Sequence, residues 1–141
     1  MEIVNGILDV EFILHRVYPG DYNSFHHTDN EGCDPCALTH VVGDPFEQWN
    51  CSAMREEKLD QARENKMYDS VKKQGVRRLI DIESFYDHAV LINGHHRFYT
   101  AWTLGFKRVP VSVCYSTRDY KLIPDEHFIV LGYWENRYSM A

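Results

Sequence analysis

Residues 91–100 read Leu-Ile-Asn-Gly-His-His-Arg-Phe-Tyr-Thr, and they constrain the fold more than any other stretch. Ala89, Val90, Leu91 and Ile92 form a short, apolar, β-prone run, while Phe98, Ala101, Trp102 and Gly105 recur at i, i+3, i+4 and i+7. The spacing predicts a strand that enters a helix through Asn93-Gly94, with Gly105 as the left-handed residue closing the helix before Lys107-Arg108. Asn-Gly is also the strongest short hairpin signal, with residues 96–100 as the second strand, but a hairpin leaves Gly105 without that role. In the strand-to-helix arrangement, Gly94 lets the backbone approach a ligand and the N–H groups of the first helical turn point at it. Arg97 then offers a planar fork to phosphate oxygens.

The expected chemistry is a phosphate-type anion site made of Asn93, Gly94, His95, His96 and Arg97. Thr100 either lends a hydroxyl one turn on or bonds back to the helix carbonyls. The positive end of the helix disfavours imidazolium, so His95 and His96 are expected to stay neutral and to bond a phosphoryl oxygen or a water.

Elsewhere the pattern predicts one domain of 141 residues. Residues 9–17 alternate apolar Val10, Phe12 and Leu14 with polar Glu11, Ile13 excepted, and reach Pro19-Gly20, which suggests a first strand and turn. Residues 21–50 lack a clean period and are rich in Asp, Asn, Gly, Pro, His and Cys, so they are expected to form an irregular insertion. Ser52 is placed to cap a helix starting near Met54, and Leu59, Ala62, Met67 and Val71 continue a helical stripe to Gly75 with a break near Glu64-Asn65. Residues 79–82 and 109–115 read as strands, residues 128–131 as a last apolar element of undecided type, and residues 116–141 as a C-terminal extension. No apolar run approaches the roughly 20 residues of a membrane span, and the start lacks the pattern of a signal peptide, so the expected location is the cytoplasm.

The net charge of −6 argues against a surface given over to non-specific duplex binding. Its distribution qualifies that, because residues 55–78 carry +3 and the remainder −9. A local basic patch near the anion site is one reading of this, and solvated helix faces are the other. Cys33, Cys36, His40 and Cys51 supply enough soft ligands for zinc, and Cys33-Asp34-Pro35-Cys36 is a usual ligand pair. The second pair has no standard spacing, so unligated reduced thiols are the first expectation and zinc the alternative. Cys114, within an apolar strand, is expected in the core.

Gly94-His95-His96-Arg97-Phe98, followed by Leu104-Gly105-Phe106-Lys107-Arg108-Val109-Pro110-Val111, resembles the second box of the ParB/sulfiredoxin superfamily. Upstream, Ser70-Val71-Lys72-Lys73-Gln74-Gly75-Val76 and Leu79-Ile80-Asp81-Ile82 look like the family's Ser-Ile-x-x-x-Gly segment and next strand. With Met54-Arg55-Glu56-Glu57-Lys58 before it, the chain looks most like the small ParB-like nuclease-domain proteins of actinobacterial phages. The resemblance covers about half the chain. It implies an α/β (α+β) domain with a mixed sheet, acting in the host cytoplasm, in which Arg97, Lys107 and Arg108 join the basic patch.

Sulfiredoxins hold a catalytic Cys where this chain has His95, so sulfinic-acid reduction loses its nucleophile. Chromosome-partitioning members bind CTP through Gly-Glu-Arg-Arg and carry a helix-turn-helix domain, for which the residues after Tyr115 are too few. Free-serine kinases of this fold carry Asp-Gly-His-His-Arg, and here Asn93 replaces the Asp. Their general base, a Glu after the first strand, has Asp21 as its nearest counterpart and Glu11 as a second.

The implied ligand is a nucleoside tri- or diphosphate or nucleic-acid phosphates, with magnesium or manganese bridging them and His95 or His96 offsetting charge. A ParB-like protein that binds such phosphates is the leading expectation, with nuclease or NTPase activity left open. A small-molecule kinase is the second reading, and a non-catalytic module that binds a host protein through exposed Trp and Tyr residues is the third.

Overall fold

Glu2–Asp9 forms β1, which pairs antiparallel along its whole length with β5, Arg108–Tyr115, from Glu2 opposite Tyr115 to Asp9 opposite Arg108. The structure, a computed structural model, describes residues 2–20, 43–85, 88–115 and 128–130. Within them, β2 (Val17–Tyr18), β3 (Ile80–Ser84), β4 (Ala89–Asn93) and β6 (Phe128–Val130) complete a six-stranded mixed sheet, ordered β2-β4-β3-β5-β1-β6. β3 lies parallel to β5 and antiparallel to β4, β2 runs parallel to β4, and β6 runs antiparallel to β1. Five helices accompany the sheet among the described residues: α1 (Val10–Arg16), α2 (Pro45–Trp49), α3 (Ser52–Glu64), α4 (Met67–Gln74) and α5 (His95–Thr103). The chain is therefore an α+β domain, and none of its described helices is long and apolar enough to cross a membrane.

One face of the sheet carries the core. Alternation along β5 sends Val109, Val111, Val113 and Tyr115 to the face where Ile13, Trp49, Met54, Phe98 and Tyr99 of the helices are buried. Cys114 falls on the opposite face and is only partly buried, so it is not the core residue that its apolar neighbours suggest. Each buried aliphatic or aromatic side chain contributes about 1.5 to 3 kcal/mol relative to leaving it in water.

The first strand is not residues 9–17. Asp9 ends β1, Val10–Arg16 form α1, and Val17 starts β2. Val10, Ile13 and Leu14 are buried while Glu11, His15 and Arg16 are exposed, which is a helical face at i, i+3 and i+4. Ile13, the exception to strand alternation, is part of that helical stripe. The turn-type pair Asn5-Gly6 interrupts the apolar run of β1 and hides it.

Of the segment expected to be irregular, residues 21–42 lie outside the described residues, and Pro45–Trp49 is a helix. Asp44 accepts a hydrogen bond from the Phe46 amide at 3.0 Å and Pro45 occupies the first turn, so α2 has a regular N-terminus. Trp49 is fully buried and its indole N–H donates to the Val17 carbonyl at 2.7 Å, which ties α2 to β2. Ser52 is the first residue of α3 rather than its cap, a position taken by Cys51 without a side-chain capping bond.

The break between α3 and α4 falls at Asn65 and Lys66. Lys66 adopts φ +64°, and the Asn65 side-chain oxygen accepts from the Met67 amide at 3.0 Å. Residues 128–130, left undecided by their pattern, pair with β1 as a strand.

Candidate anion-binding site

β4 delivers the chain to Asn93, Gly94 turns it, and α5 begins at His95. Gly94 holds φ +105°, where an L side chain is strained, and a Cβ there meets Arg97 Nη2 and Ile80 Cγ1 at 3.1 Å. The Phe98 amide closes the first helical turn on the Gly94 carbonyl at 2.9 Å, leaving the earlier amides of the turn outside the helical ladder. At the far end Gly105 takes φ +83°, with its N–H on the Trp102 carbonyl at 3.0 Å and the Phe106 N–H on the Ala101 carbonyl at 2.9 Å. That double closure is a Schellman motif, so α5 has the boundaries that its spacing predicts.

A cavity of about 430 Å³ opens over the N-terminus of α5. Asn93, Gly94, His95, His96 and Arg97 line it, joined by Lys58 from α3 and Arg78 from the segment before β3. Gly20, Met67 and Ile92 complete its wall, and no carboxylate lines it among the described residues.

Arg97 is buried, and its Nη1 donates to the Leu79 carbonyl at 3.1 Å. Burial lowers its pKa, the charge of Arg78 lowers it further, and Asp81 acts in the opposite direction. Two guanidinium groups are thus held close enough to repel at the positive end of a helix. An anion bound there relieves that repulsion.

The two histidines are anchored differently from the expectation. His95 donates its Nε2 hydrogen to the Pro19 carbonyl, since a carbonyl oxygen only accepts. The same argument gives His96 an Nε2 hydrogen directed at Gln61 Oε1, 2.6 Å away on α3. Both Nε2 donors therefore go to the protein and not to a phosphoryl oxygen, and they fix α5 against Pro19, just after β2, and against α3.

Other expected members separate from the turn. Thr100 is fully buried, does not line the cavity, and its hydroxyl has no hydrogen-bond partner among the described residues. Helical spacing places it one turn on, but the core covers that face. Glu11, together with Lys107 and Arg108, lines a different cavity of about 490 Å³ beside Trp102 and Gly105, at the opposite end of α5. Glu11 pairs there with His15 at 3.3 Å and Arg108 with Asp9 at 3.3 Å. Glu11 therefore does not face the turn, and the basic patch gains nothing from Lys107 or Arg108.

Asp21, Cys33, Cys36 and His40 lie outside the described residues. Cys51, the remaining expected zinc ligand, is buried in the core cluster.

The basic stretch alone does not distinguish Lys58 and Arg78 from its other cations, although Lys58 leaves a readable trace. It sits four residues from both Met54 and Ala62, on the buried stripe of its helix. Comparison of the chain with protein-family models, curated proteins and solved structures finds no match.

Proposed function

We propose that this chain is a phosphate-binding domain of the ParB/sulfiredoxin type, similar to the small ParB-like proteins of phages, taking a nucleotide or nucleic-acid phosphate at the Gly94–Arg97 turn. One observation carries the reading: Lys58, Arg78 and Arg97 converge on a helix N-terminus in a cavity without a described carboxylate. Fixed cations at a helix start are the arrangement that anionic oxygens need, and the repulsion between Arg78 and Arg97 gives a bound anion a further energetic advantage.

Hydrolysis or transfer of a phosphoryl group needs, in addition, a carboxylate to position the nucleophile and a divalent cation to bridge the phosphate oxygens. Gly20 lines the cavity, and Asp21 follows it in the chain. Asp21 is the base that this reading assigns. Asp21→Asn is expected to abolish turnover with magnesium or manganese while leaving nucleotide affinity nearly intact, and Glu11→Gln to change neither. Retained turnover in Asp21→Asn refutes that assignment.

The binding claim is tested by thermal shift and titration with ATP, ADP, CTP and short DNA. A ligand of the native state at 100 times its dissociation constant adds about 2.7 kcal/mol. Absence of any shift at saturating concentrations of all four contradicts the reading.

A further inference from the structure

A second cavity, of about 350 Å³, adjoins the first. Met67, Arg78 and Arg97 line both, so the two guanidinium groups stand at the junction. Lys66 and Arg77 line the second chamber, and again no carboxylate does so among the described residues. Glu56, Glu57, Asp60 and Glu64 share a separate surface of α3, Asp69 lines neither chamber, and Asp81 acts on Arg97 without lining either. A chain with net charge −6 thus keeps two adjoining chambers with five cationic side chains between them.

The backbone adds a second observation. Lys66 is the only non-glycine residue with positive φ among those described, in a conformation that Gly or Asn occupies more readily. Lys66 is exposed and lines the second chamber, and its backbone conformation carries a conformational cost.

We infer that the two chambers form one track for a single polynucleotide strand, held by successive phosphates, an inference that rests on the Gly94–Arg97 turn being a phosphate site. A nucleoside triphosphate concentrates its charge on adjoining phosphorus atoms and needs one chamber, whereas a strand repeats its charge at every nucleotide and engages both. A duplex is too wide and stiff to enter chambers of this size, and the net negative charge opposes its broad approach. No Phe, Tyr or Trp lines either chamber among the described residues, and the His95 and His96 imidazoles are tied to Pro19 and Gln61, so base stacking has no free platform there. Recognition therefore runs through the backbone and tolerates sequence.

The test is fluorescence anisotropy with labelled single-stranded DNA from two to about ten nucleotides long. Competitors are ATP, inorganic phosphate and a duplex of matching length, and salt is varied between about 50 and 200 mM. Affinity is expected to rise with length until the track is filled and to fall steeply with salt.

Lys66→Gly relieves the left-handed backbone, so the variant stays folded. It is expected to bind the strand roughly tenfold more weakly, with a salt slope shallower by about one, and to bind ATP and phosphate as the parent does. Arg77→Ala should behave likewise, and Arg97→Ala should weaken every ligand.

A strand that binds no better than ATP, a Lys66→Gly protein with unchanged strand affinity, an equal loss for ATP, or a duplex that outcompetes the strand each overturns the track. Failure of the phosphate-site reading is distinguishable, because then ATP, phosphate and strand all fail to bind or bind regardless of Arg97→Ala.

Discussion

Arg97 serves the fold and the cavity with one side chain. Its Nη1 bonds the Leu79 carbonyl from a buried position, and the same guanidinium packs beneath Gly94, where a Cβ would press on Nη2. Arg97→Ala is expected to weaken anion binding by about 1.5 to 3 kcal/mol, the scale of a charge-assisted hydrogen bond, and to lower stability because the Leu79 carbonyl loses its donor. Calorimetric titration and chemical denaturation separate the two effects, and unchanged affinity in the folded variant contradicts the assignment.

Gly105 isolates the conformational term, since nothing lies within 4 Å of a Cβ built there. Gly105→Ala should cost about 1 kcal/mol in urea denaturation through its positive φ alone. Both glycines and Arg97 were legible in the sequence because turn chemistry and helix closure are local. Thr100 was misplaced because only the tertiary core decides which face of α5 is sealed.

At the scale of elements, α1 shows how a short apolar segment misleads. Over seven residues Val10, Phe12 and Leu14 satisfy the strand period while Val10, Ile13 and Leu14 satisfy the helix period. Pairing between β1 and β5 settles the matter, and that contact joins segments about a hundred residues apart in the chain. Helix α2 was masked by its neighbours, although Asp44-Pro45 is a regular N-terminal signal.

The packing of α2 rests on Trp49. Trp49→Phe keeps an aromatic ring against Phe98 and Tyr99 but removes the donor to the Val17 carbonyl. A loss of about 1 to 3 kcal/mol in denaturant unfolding is expected. A neutral substitution would show that another group satisfies that carbonyl. Between α3 and α5, the Arg55 guanidinium lies 3.7 Å from the Trp102 ring centroid and donates to Thr103 Oγ1 at 3.4 Å. Its removal should cost roughly 0.5 to 2 kcal/mol.

Across the whole molecule, the parallel pairing of β3 with β5 and the antiparallel return of β4 place the start of α5 beside α3 and the segment before β3. The sequence showed a basic stretch between residues 55 and 78, but not which of its charges turn inward to the turn at Gly94. Lys58 and Arg78 do so, whereas Lys107 and Arg108, adjacent in sequence to the end of α5, stand at the other cavity with Asp9 and Glu11. Helix length accounts for this, because nine residues carry the chain from one cavity to the other.

The most direct measurement of the central claim is calorimetric titration of ATP and a short single-stranded oligonucleotide into the parent protein and Arg97→Ala, at two salt concentrations. The account predicts binding to the parent that weakens with salt and is lost or reduced at least tenfold in the folded variant. Binding of equal strength in both proteins, or none in either, contradicts it.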